Sequence, residues 1–150
     1  KKGKNLSPPL LELSAAALLI AAPAYAAATD VVVTEAWFRA LPGTAPAGGY
    51  FKMHNGGTGT ETLTGAESPA CGMLMLHKSS SQGGTMQMED VASVPVPAGG
   101  DVAFAPGGYH LMCMDPKPTM KPGATVPVML DFADGNKVIA KFAVKDAKGQ

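Results

Sequence analysis

Thr125-Val126-Pro127-Val128-Met129-Leu130-Asp131-Phe132, then Asp134-Gly135-Asn136, then Val138-Ile139-Ala140-Lys141-Phe142-Ala143-Val144 reads as strand, turn and strand, a hairpin that closes the chain. Working back from it, the same grammar repeats. Tyr109 to Met114, Asp101 to Ala105, Thr85 to Val94 and Gly72 to Lys78 are strand candidates, as are Glu61 to Ala66, Tyr50 to His54 and Val31 to Ala40. Turn formers separate them: Asn55-Gly56-Gly57 ends one strand, and Leu41 to Gly49 is a Pro/Gly loop. Past Ala28 no segment sustains an apolar period of 3.6 residues, and no repeat or long linker divides the chain. Short strands at spacings of about ten residues predict an all-β, antiparallel sandwich or barrel.

Composition agrees. A chain of 150 residues is long enough for one domain with a real core. Its 18 Gly and 13 Pro suit tight turns between strands better than a helical bundle. Twelve basic and twelve acidic residues cancel, so no charge field draws the chain to nucleic acid or to an anionic membrane. Nine methionines against three histidines are the compositional outlier, and their positions decide what they mean.

The first 26 residues read as an address. Lys1, Lys2 and Lys4 open it, Leu10 to Ala22 is apolar apart from Glu12 and Ser14, and Ala24-Tyr25-Ala26 is a small-x-small cleavage signal. The run is too short to span a bilayer securely. Cleavage after Ala26 would leave residues 27–150 as the domain, with nine basic and eleven acidic residues. The expectation is an exported protein of a bacterial periplasm, with no stable membrane insertion after cleavage.

Chemistry concentrates in three strands. Side chains alternate faces, so Met73, Met75 and His77 share one face while Leu74 and Leu76 share the other. In the same way His110, Met112 and Met114 stand together, with Leu111 and Cys113 behind them. Met86 and Met88 form a third pair. Thioether sulfur is soft and uncharged; it favours Cu(I) and offers little to Zn²⁺, Ca²⁺ or Mg²⁺. Two imidazoles and two thioethers hold Cu(I) without thiolate, so a thiolate-rich partner could take the ion. Such donors suit a carrier.

His77, ten residues, Met88, twenty-one residues, His110, one residue and Met112 form an H-x10-M-x21-H-x-M pattern. In this the chain resembles the periplasmic copper chaperones called PCuAC, the DUF461 family. Ala36-Trp37-Phe38-Arg39, Gly48-Gly49-Tyr50, Pro97-Ala98-Gly99-Gly100 and Pro106-Gly107-Gly108-Tyr109 extend the likeness, which runs from about Val31 to Val144. The resemblance implies a cupredoxin-like β-sandwich with no catalytic activity. It also implies that Cu(I) is held by His77, Met88, His110 and Met112. Delivery would be to the CuA centre of cytochrome c oxidase, often alongside a Sco-type thiol protein. Lys78 stands where the family often has Met, and Cys113 where an aliphatic residue is usual.

Met73, Met75, Met86 and Met114 are expected in the core, with a sulfur-lined surround or a secondary docking site as the alternative, and His54 at a solvent-facing strand end. Cys71 and Cys113 leave two readings open: a disulfide, stabilising by ~4 kcal/mol on the chain-entropy model, or two buried thiols. Thiolate ligation of copper ranks below both. Two other functions compete on the same fold. A cupredoxin electron carrier needs a His₂Cys site with an axial Met, and no His follows Cys113. A metal-free interaction module needs none of these donors. No G-x-S-x-G elbow or nucleophile–His pairing supports a hydrolase.

Overall fold

The computed structural model describes residues 3–5 and 30–150; the rest of the expected leader 1–26 and its cleavage point lie outside the described residues. Ten strands follow one another: β1 (Val31–Arg39), β2 (Ala47–Asn55), β3 (Glu61–Glu67), β4 (Cys71–Gln82) and β5 (Thr85–Asp90). Then come β6 (Val94–Val96), β7 (Asp101–Phe104), β8 (Tyr109–Pro116), β9 (Thr125–Phe132) and β10 (Lys137–Lys145). The hydrogen-bonded order is β5-β4-β8-β2-β1-β10-β9-β3-β6, with β7 also on β2. The path curls over, so that β3 comes against β4 and β6 against β2, with the core between. All pairs are antiparallel except β1 with β10, where the closing hairpin seals onto the first strand in parallel.

The all-β reading holds, and the boundaries move for physical reasons. β2 begins at Ala47, inside the stretch read as loop. Gly49 is there because a Cβ would come 2.6 Å from the ring of Phe38 and 3.0 Å from Leu111. β4 runs on to Gln82 because Gly83 and Gly84, both with positive φ, turn it straight back into β5. The expected strand Thr85 to Val94 is two strands: β5 stays on β4, then the chain crosses to pair Val94–Val96 with β3.

A bulge in β1 decides which residues face inward. Thr34 pairs with Lys52 and Trp37 with Tyr50, so one extra residue is taken up, and Glu35 has φ 52°. Val31 is buried before the bulge and Phe38 after it, so the inward parity reverses along the strand. Phe38, Phe142, Phe51 and Phe104 then form a continuous aromatic chain, with centroids 5.1, 5.5 and 4.5 Å apart. Tyr109 stacks on its end, 5.4 Å from Phe104, and so fixes the start of β8 to the core.

Candidate metal centre

β7 and β8 share one edge of β2. Phe104 pairs with Phe51 and Leu111 with Gly49, so β2 advances by Tyr50 alone while the other chain spends residues 105–110. That excursion contains Pro106-Gly107-Gly108, closed by a bond from Gly108 N–H to Ala105 O at 3.0 Å. Gly107, with φ 87°, supplies the left-handed position the turn needs. Gly108 O accepts from Ser79 N–H of β4 at 3.0 Å. The turn thereby hands β8 across to β4 and places His110 directly opposite His77.

From this register the expected alternation follows. Met73 faces Met114, Met75 faces Met112 and His77 faces His110 across β4 and β8. On the other edge of β4, Ser79 faces Met88 and His77 faces Asp90. Directly opposite residues point to the same side of a sheet. His77, Met88, His110 and Met112 therefore share one face, with Met88 and Met112 each one diagonal step from His77. The face behind holds Leu76, Leu111 and Cys113, all buried. Lys78 is on the side opposite His77, as alternation requires, with Nζ 5.2 Å from the Tyr109 ring.

The two imidazoles meet edge to face, centroids 5.6 Å apart. His110 is only 4% exposed, and its Nδ1 lies 3.3 Å from Gly108 O. A carbonyl only accepts, so Nδ1 carries the proton and the Nε2 lone pair is free; Nε2 is buried with no hydrogen-bond partner. Burial pushes the His110 pKa below its ordinary value; the Gly108 carbonyl opposes that shift and His77 adds to it. Asp90 Oδ1 is 2.8 Å from His77 Nε2, close enough for an ionic contact but without hydrogen-bond geometry, and His77 Nδ1 has no partner either. Buried ring nitrogens without partners are costly, and a soft cation would satisfy them. Among the described residues, no three His, Cys, Asp or Glu side chains cluster to hold a metal.

Three further placements complete the comparison with the sequence. Met73, Met86 and Met114 are exposed and Met75 is half-buried, which overturns the expectation that they fill the core. On β4 and β8 the inner face is already occupied by leucines and a cystine, leaving the thioethers outside, and Met86 lies on β5, every residue of which is exposed. Cys71 and Cys113 are joined, with an S–S length of 2.02 Å and Cα atoms 5.4 Å apart. Alternation alone would have put Cys71 beside Met73, but Gly72 faces Asp115, whose φ of 50° interrupts the regular ladder, and Cys71 turns inward. His54 is exposed at its strand end, with Nδ1 2.8 Å from Asp101. Asp90 is the site neighbour that the sequence reading missed; the Gly83-Gly84 turn fixes it opposite His77.

An all-β sandwich that carries a His and Met face on one three-stranded ribbon is the class of domain the structure defines. The family model described as "Putative lipoprotein LpqE-like" matches residues 31–144, and the chain belongs to that family. "Putative lipoprotein Lxx21020" of Leifsonia xyli subsp. xyli is 34% identical over 123 residues, covering 81% of this chain and 74% of that protein. Among solved structures, the copper-bound PCuAC domain from PmoF2 superposes with a TM-score of 0.65 at 24% identity, over 81% of this chain and 97% of that one. The Cu(I) form of DR1885 from Deinococcus radiodurans gives 0.61 at 25% identity, over 82% and 81%. The likeness to PCuAC domains read from the sequence, and the cupredoxin-like fold it implied, are thus borne out.

Proposed function

We propose that this protein is an exported Cu(I) chaperone that binds one ion through His77, Met88, His110 and Met112 and releases it to another copper protein. The observation that carries the reading is the His77–His110 cross-strand pair, in which both ring nitrogens of His77 and Nε2 of His110 are buried without hydrogen-bond partners, and beside which Met88 and Met112 each stand one diagonal step from His77. His110 would donate Nε2, since Gly108 O holds Nδ1–H. His77 would donate Nδ1, since the Asp90 carboxylate lies 2.8 Å from Nε2. Neutral donors leave the ion's charge largely uncancelled, and Asp90 supplies a nearby negative group.

Relatives support the cargo: one similar domain is copper-bound and another carries Cu(I). The lipoprotein names in the family, together with the leader-like residues 1–26, support export, and we place the protein in the periplasm. Met88 is 64% exposed, so a partner thiolate can displace it and begin ligand exchange without unfolding the site. The recipient, by resemblance, is the CuA subunit of cytochrome c oxidase or a Sco-type thiol protein; no catalytic step is assigned to the chain itself. The electron-carrier alternative loses its thiolate, because Cys113 is bound to Cys71 on the inner face. Anaerobic titration of residues 27–150 with Cu(I) against a chromophoric chelator tests the proposal. One tight equivalent, lost in Met88→Ala/Met112→Ala, is the expected result; no competition with the chelator would leave a metal-free interaction module.

A further inference from the structure

The soft face continues beyond those four residues. Row by row, β4 and β8 present Met73 with Met114, Met75 with Met112, and His77 with His110. Rows lie two residues apart, ~6.8 Å along a strand, and partners within a row have Cβ atoms ~5 Å apart. Exposure falls along this ladder. Met73 is 59% and Met114 38% exposed, Met75 and Met112 are half-buried, and His110 is sealed. Core packing explains none of the first three methionines, because the core side of both strands is filled. A long apolar side chain left in water twice in the same row calls for a use.

We infer that Met73, Met75 and Met114 form a second, thioether-only station for a soft monovalent cation, Cu(I) or Ag(I). Three neutral sulfurs with no imidazole or carboxylate among them select such ions and reject Zn²⁺, Ca²⁺ and Mg²⁺. Lacking nitrogen donors and lying open to solvent, the station binds more weakly and exchanges faster than the histidine row. An ion released from it needs to travel only one row to reach Met112 and His110, so the ladder is an entry path graded in exposure. The site itself stands on its own donors; only the direction of travel rests on the proposed chaperone function.

The test uses Ag(I), which mimics Cu(I) without its redox chemistry, in chloride-free buffer with methionine methyl groups labelled with ¹³C. Native mass spectrometry of the protein is expected to show two Ag(I) bound in succession. The first should move the Met88 and Met112 methyl resonances and the second those of Met73, Met75 and Met114. In Met73→Leu/Met114→Leu, which keeps the surface apolar, the first ion should remain and the second should be lost at matched concentration. A parent whose Met73, Met75 and Met114 methyl resonances stay unmoved as Ag(I) is added, or a second ion undiminished in the variant, would overturn the station. Binding at Met73, Met75 and Met114 with Met88 and Met112 unmoved would uphold it while refuting the ligand set of the chaperone reading.

Discussion

The two faces of the β4–β8 ribbon are one residue out of step and have opposite tasks. Inward, Leu76, Leu111 and Cys113 are buried, and the cystine ties the first residue of β4 to β8. Outward, the same strands raise Met73, Met75, His77, His110, Met112 and Met114. Burial of a leucine contributes roughly 1.5–3 kcal/mol, whereas a thioether standing in water contributes little to the fold. Stability and the proposed metal chemistry are thus divided between the two faces that alternation creates. The outer face is free to carry soft donors because the inner one supplies the stability. His110 is an exception, as is Ser79: both are buried although they stand on the outward face, and His110 is the residue on which both tasks meet.

Opening the cystine should break the comparison most severely. Its two ends are separated by 42 residues, so Cys71→Ala/Cys113→Ala should cost about 4 kcal/mol on the chain-entropy model, read by denaturant unfolding. Once refolded, the variant should still take one Cu(I), because neither sulfur faces the histidines. A cost below about 1 kcal/mol would mean the inner face does not depend on its cross-link.

A matched pair of substitutions on neighbouring residues sharpens the contrast. Leu111→Ala should destabilise by about 3 kcal/mol, as large-to-small changes at fully buried sites do, while leaving the donor set intact. Met112→Leu should change stability by less than about 1.5 kcal/mol, yet weaken Cu(I) far more than Cu(II). Equal losses for both ions would refute the argument from softness.

The smallest effect expected is the pH dependence of the metal-free protein. Burial holds folded His110 below its ordinary pKa, so the unfolded chain takes up the proton first as acid is added. The resulting contribution to stability is complete above the ordinary histidine range. It is lost as pH falls from that range through the lowered folded value. His110→Gln should flatten that part of the stability profile; an unchanged slope would assign it to other groups.

Alternation makes the outer face legible in the amino-acid sequence itself: the His and Met positions on β4 and β8 follow from counting by two. The hairpin joining β4 to β5 is equally legible, since Gly83-Gly84 is a two-residue turn signal, and following it pairs His77 with Asp90 and Ser79 with Met88. Ending the strand at Lys78 hides Asp90. Other features depend on contacts distant in sequence. The inward turn of Cys71 comes from a break in the ladder at Asp115, and the burial of His110 from the turn that binds Ser79. The exposure of Met73 and Met114 depends on the leucines and the cystine that already fill the other side. Abundant methionine suggests core filling on chemistry alone, and here topology overrules that preference.

The central claim is that two imidazoles and two thioethers on one face hold a single Cu(I). X-ray absorption at the copper K-edge, on protein loaded anaerobically with one equivalent, reads the donor shell directly. A reduced ion with both nitrogen and sulfur neighbours is expected, with the sulfur contribution halved in Met88→Leu and the nitrogen contribution reduced in His110→Gln. A shell of nitrogen and oxygen alone, or one of sulfur alone that neither substitution alters, would contradict it.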